Sequence, residues 1–283
     1  RGEGGFPPPA PACGGGFPPP PADLELQLQV AAAFMLHPGY RPEAERRWRE
    51  NVVQSWPRLD ATPSATLSSQ AMRLLASGDR RFGTHPDDGV IFRSFTELRA
   101  YLEPLLADAP IEIAIVGDID EDQAIAAVAR TFGALPDRSL DLPPDRSDRP
   151  VVFRAQRDPI SLTHHGEPTQ ALVNVYWPVS LDPDIDHQEA RILSVLAAVM
   201  RLKIIERVRE EMGASYSPSA SAYVASVYPG WGYLAAGSEV RPEDAQEIGD
   251  ALEAIAADLR EGRISDDEFG RAVTPSLEQL PRN

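Results

Sequence analysis

Histidine is the side chain best able to hold a metal or move a proton near neutral pH, and the chain has five: His37, His85, His164, His165 and His187. None stands in H-x-x-E-H or H-E-x-x-H spacing, which places two imidazoles on one helical face around a metal. No zinc site follows from them. On a strand, His164 and His165 send their rings to opposite faces, so the pair reads as exposed strand histidines. The one cysteine, Cys13, lies among Gly and Pro with no histidine beside it, so neither an internal disulfide nor a nucleophilic thiol is expected. No G-x-S-x-G, Walker motif or strand-borne G-x-G-x-x-G is present, and Gly14-Gly15-Gly16 falls in low-complexity sequence. The acidic pairs Asp120 with Asp122 and Asp266 with Asp267 stand at helix starts, where carboxylates offset the macrodipole.

One further segment combines reactive side chains with a defined spacing: RVREEMGASYSPSA, residues 207–220. The pattern places Arg209 at a helix end, Gly213 at the break and Tyr216 at the start of a strand. Taken alone these are ordinary structural residues, a C-terminal base facing the dipole and a tyrosine at a sheet edge.

The elements that must position these residues follow from periodicity. Residues 1–22, rich in Gly and Pro, read as a disordered leader. Asp23 caps a helix running to Pro38, apolar on both sides through Leu24, Leu28, Ala32 and Met35 and through Leu26, Val30 and Phe34, and so expected to be buried. Helices are expected from Pro42 to about Trp56 and from Pro63 to Ala76, with loop at 78–89. Ser94 with Glu97 makes a capping box for a helix that carries Leu98, Tyr101, Leu102 and Leu105 inward. A strand at 111–116 and a helix from Asp120 to Gly133, lined by Ile125, Val128, Ala129 and Phe132, complete a partial α+β domain at 23–136.

Residues 137–149, Pro-rich and charged, read as an interdomain linker. Beyond it, strands are expected at 151–155, 160–164, 170–179, 216–225 and 231–240. Helices are expected at 186–212, broken near Met200, at 243–261, burying Ile248, Leu252, Ile255 and Leu259, and from Ser265 until Pro275 interrupts. That order describes α+β architecture, a largely antiparallel sheet with helices packed on one face, over 150–283 with a truncated C-terminus.

Composition excludes several partners. Among 283 residues, 27 bases face 43 acids for a net charge of −16, which repels phosphate backbones and anionic headgroups, so nucleic acid is not expected as a partner. No run approaches the roughly 20 apolar residues of a membrane span. The chain does not begin with Met and reads as a processed product or a fragment.

The 207–220 segment resembles the pitrilysin/insulinase family of zinc metallopeptidases. Arg209, Glu210, Glu211, Gly213 and Tyr216 match a helix end, a Gly and a Tyr seven places beyond the Arg in the non-catalytic, C-terminal half of those enzymes. YPGWGYL, 228–234, is similar to the strand that follows there, and PIEIAIVGDIDEDQAIAAVARTFGALP, 110–136, to the strand and helix that close the preceding domain. The resemblance covers about 94–262 and implies two related α+β domains, the first incomplete, forming half of a clamshell around a peptide chamber. It implies that zinc is bound by a separate catalytic half, absent here, and that Arg209 and Tyr216 bind substrate near the scissile bond. It implies a peptide or unfolded-protein substrate, the catalytic N-terminal half as partner, and a periplasmic or membrane-associated bacterial location. Some members of the superfamily are non-catalytic partner subunits, which is the alternative reading.

Overall fold

The computed structural model describes residues 23–84, 89–139, 150–154, 156, 158–182, 186–207, 217–228 and 230–278. The chain divides into two packed units, 1–51 with 90–145, and 52–89 with 146–283.

The second unit is built on a three-stranded antiparallel sheet, β1 (Ala171–Val179), β2 (Ser219–Val224) and β3 (Gly232–Val240), in the order β1-β3-β2. Ala171 pairs with Val240 and Val179 with Gly232, while Ser219 pairs with Gly237 and Val224 with Gly232. Side chains alternate across a pleated strand, so Val173, Val175 and Trp177 share one face with Leu234, Ala236, Ala220 and Ala222. That face is covered by α6 (His187–Glu206) and α7 (Ala245–Arg260). Both helices present a stripe of the same helical spacing: Leu193, Ala197, Met200 and Ile204 on α6, Ile248, Leu252, Ile255 and Leu259 on α7, all buried. Helix α8 (Asp266–Glu278) docks on α6 through Ala272 and through the Lys203–Glu268 ion pair.

The other face meets α3 (Pro63–Leu75), where Ala71 and Met72 pack with Tyr233 and Ala235. Thr62 caps α3 by accepting the Ala65 N–H, and Pro63 stands at the first turn, where its missing N–H costs nothing. The sequence reading placed 52–89 in the first domain, whereas packing groups it with the second unit. An aromatic cluster explains the grouping: Trp231, 2% exposed, has Phe82 at 5.3 Å and Phe153 at 5.1 Å between ring centroids.

Several sequence expectations are corrected within this unit. Residues 151–154 and 160–164 form no ladder: the Arg154 N–H donates to Leu75 O and the Ser77 hydroxyl to Val152 O, so 151–154 is tied to the end of α3. Helix α6 runs unbroken through Met200, because Met200 is the centre of its buried stripe. Helix α8 continues through Pro275, and its contacts with α6 outweigh one lost backbone bond.

In the first unit, α1 (Leu24–Leu36), the start of α2 (Pro42–Ser55), α4 (Phe95–Asp108) and α5 (Glu121–Arg130) are the described elements, and residues 111–116 are not in a sheet. The Ser94–Glu97 capping box forms, and Arg130 of α5 pairs with Glu25 of α1 at 2.8 Å. Leu28, Ala32 and Ala127 are buried, whereas Leu26, Val30, Phe34, Leu98, Tyr101, Leu105 and Ile125 are exposed. Helix α1 is therefore half covered rather than buried, and α5 turns Ala127 inward instead of Ile125 and Ala129. Apolar periodicity identifies a face able to be buried; here no described element covers it.

Candidate functional site

Arg209 and Tyr216 lie outside the described residues, as do Glu210, Glu211 and Gly213. The described flanks are the end of α6, where the Arg207 N–H donates to Ile204 O and Lys203 O, and the start of β2 at Ser219. The preceding turns of α6 and the adjoining residues of β2 line a cleft.

The cleft has a volume of about 370 Å³ and lies among α6, α8 and β2. Ala197, Ala198, Ala220, Ala222 and Ala272 give it small apolar walls, and Arg201 and Arg271 supply its charge. Its β2 side is a strand edge, since among the described strands β2 pairs only with β3. The Ala225 N–H donates to Trp231 O at 2.9 Å, which fixes the phase of the ladder. Backbone groups alternate between the two sides of an antiparallel strand, so Ser219, Ser221 and Tyr223 are bonded to β3 while Ala220, Ala222 and Val224 direct their N–H and C=O outward. Chemically this is a row of open donors and acceptors beside a small-walled groove, the arrangement that accepts an added extended strand.

On the sheet's other face a tyrosine row crosses all three strands. Tyr223 and Tyr233 stand opposite each other with centroids 5.4 Å apart, and Tyr176 meets Tyr233 edge-on at 5.5 Å. Burial raises the Tyr233 phenol to about 12, with the neighbouring Tyr223 adding to it. Burial likewise raises Tyr176, followed by the effect of Tyr233. Both stay neutral through the physiological range and act as packing groups.

The described histidines are not gathered around a common point. His164 and His165 sit in a turn, not on a strand: His164 Nδ1 accepts the Gly166 N–H at 3.1 Å and Nε2 lies 2.9 Å from Gln170 O. His165 Nδ1 lies 3.1 Å from Asp60 Oδ2, and its backbone N–H donates to Asp60 O. The turn is tight, because a Cβ at Gly166 would overlap Ala61 O. Among the described residues no group of three or more His, Cys, Asp or Glu gathers that could hold a metal ion. No described helix is long and apolar enough to cross a membrane.

Sequence reasoning did not reach the cleft. Its one legible sign was Arg201, a base with no carboxylate one turn away on α6, where Ala197, Ile204 and Ile205 stand. The small residues 219–222 carried no signal, since their use depends on β2 lying at an edge.

Several proteins of known structure share the fold. The periplasmic protease PqqL from Escherichia coli matches at 17% identity with a TM-score of 0.58, over 92% of this chain and 29% of that one. The first half of PqqL, solved by itself, matches at 16% identity and TM-score 0.55, over 92% of this chain and 55% of that one. A conserved protein from Enterococcus faecalis V583 matches at 14% identity and TM-score 0.66, over 90% and 60%. The ferredoxin protease FusC, solved as a mutant in complex with Arabidopsis ferredoxin, matches at 16% identity and TM-score 0.57, over 92% and 29%. This chain thus spans between 29% and 60% of the chains it resembles. No curated protein sequence matches it. Residues 94–275 match the family described as the Peptidase M16 inactive domain, and the range includes the described α4 to α7, the whole sheet and the 207–220 segment. The chain belongs to the M16 peptidase family through this inactive domain.

Proposed function

We propose that the chain is the non-catalytic, substrate-binding portion of an M16 zinc endopeptidase, and that it holds an extended peptide along the free edge of β2. The observation that carries this reading is the outward row of backbone groups on Ala220 and Ala222, bordering the cleft. An added strand gains main-chain hydrogen bonds whatever its sequence, which suits a peptidase that must hold many substrates. FusC is a ferredoxin protease and PqqL a periplasmic protease, which supports a protein or peptide as the substrate class. Zinc and the water-activating carboxylate belong to the catalytic half, outside this chain. Arg209 and Tyr216, in the sequence between α6 and β2, act on the substrate backbone. Placement in a C-terminal, inactive-type half is supported by the family match over 94–275 together with the 207–220 segment.

The test is binding of fluorescein-labelled extended peptides to the full 283-residue chain, read by anisotropy. Unmodified peptides bind, and N-methylation of alternate peptide amides, which removes donors without changing side chains, abolishes binding in one of the two phases. Equal binding by peptides methylated in either phase rejects strand addition. The complete gene separates an enzyme from a partner subunit, since an in-frame H-x-x-E-H supports the enzyme.

A further inference from the structure

We propose that Arg201 forms a subsite for an acidic side chain, so that the peptide preferred by the β2 edge carries Asp or Glu where its side chain enters the cleft between α6 and α8. This rests on the strand-addition reading above and names the substrate chemistry that site selects.

The two arginines of the cleft differ in how far they are already engaged. Arg271 has Nη2 at 2.7 Å from Glu206 Oε1 and Nε at 2.9 Å from Asp267 Oδ2. The hydrogen bond to Glu206 holds its guanidinium protonated more firmly than usual. Lys203, two residues from Arg201, is likewise committed, with Nζ at 2.5 Å from Glu268 Oε1. Arg201 is exposed and has no ion pair or hydrogen bond among the described residues. A chain with 43 acids against 27 bases has carboxylates to spare, yet no described one is placed on this guanidinium.

The walls decide how selection works. Alanine and serine side chains line most of the groove, with Leu202 and Pro275 as its larger apolar residues, so the described walls are shallow. Main-chain bonding to β2 fixes the strand but is indifferent to sequence. Discrimination therefore falls to the polar contact available, and a guanidinium fork matches a carboxylate with two parallel hydrogen bonds. Because side chains alternate along an added strand, every second residue faces the helix side, roughly 7 Å apart, and those positions come within reach of Arg201. The open main-chain groups of β2 accept a polypeptide strand, so a peptide carboxylate rather than a phosphate is the group placed beside Arg201.

The experiment uses the full chain and extended peptides with Glu, Gln or Lys at every second residue, read by anisotropy at low and physiological salt. The Glu series binds roughly three- to tenfold tighter than the Gln series, the size of a partly sheltered charge-assisted contact, and the advantage shrinks with salt. Arg201→Gln removes the difference between the Glu and Gln series while the melting temperature stays unchanged, because the residue is exposed. Arg201→Glu turns the preference toward the Lys series. Binding of all three series without preference, or a Glu preference that survives Arg201→Gln, overturns the subsite but leaves strand addition standing. Failure of every peptide to bind overturns both.

Discussion

Glu268 serves two roles. Its backbone N–H donates to Ser265 Oγ, while its carboxylate accepts from the Ser265 N–H at 2.7 Å and the Ser265 hydroxyl at 2.8 Å and pairs with Lys203 at 2.5 Å. The Lys203 hydrogen bond, then that from the Ser265 N–H, lowers the carboxyl from its ordinary 4.5 to about 2, against a smaller opposing effect of burial. A carboxyl depressed in the folded state binds protons more readily when unfolded. Its stabilisation is present above about 4.5 and is lost as pH falls toward about 2. Between pH 5 and pH 2 the wild-type chain should lose on the order of 1–2 kcal/mol through this group, after allowance for solvent screening. Glu268→Gln should be less stable at pH 7 and show a shallower acid decline, measured as urea midpoints across the range. An unchanged acid slope contradicts the assignment.

At the scale of elements, the sheet depends on the close approach of β1 to β3 at one pair. Gly237 faces Asn174, and a Cβ there would overlap the Asn174 side chain and lie 2.6 Å from Val173 O. Gly237→Ala should cost roughly 1–3 kcal/mol, as overpacking in a buried site does. Asn174→Ala in the same chain should recover only part of it, because the Val173 carbonyl belongs to the strand itself. Thermal melts of the single and double variants check this, and full recovery in the double variant assigns the strain to the side chain alone. On α6, continuity through Met200 follows the same logic: a fully buried stripe holds the helix where local composition suggested a break.

For the whole molecule, the proposal to test is that Arg209 and Tyr216 act on chemistry performed by a catalytic half, in the same full-length chain or as a separate subunit. In an enzyme assembled with that half, Tyr216→Phe keeps the ring and removes only the hydroxyl. Its kcat/KM should fall roughly tenfold to a thousandfold with little change in Tm, if the hydroxyl helps hold the developing oxyanion. Arg209→Lys should also lose activity, since an ammonium keeps the charge but not the planar fork. Full kcat/KM in both variants removes these residues from the substrate site while leaving family membership intact. The exposed apolar side chains on α1 and α4 belong to the same scale, for no described element of the first unit covers them.

Local signals in the chain were enough to establish the family and the helices with strong caps or stripes. Thr62-Pro63, Ser94 with Glu97 and Ser265 with Glu268 mark their helix starts because capping is decided within four residues of chain. The α7 stripe was legible because periodicity alone identifies a face. Packing settled what depends on partners distant in sequence. Residues 111–116, 151–154 and 160–164 have strand composition but no ladder, since a strand exists only where another pairs with it. The segment 52–89 groups with the sheet because Trp231 and Phe153 lie against one another and Phe82 lies against Trp231. The cleft, its open edge and the solitary charge of Arg201 exist only once α6, α8 and β2 meet, and no local pattern records that meeting.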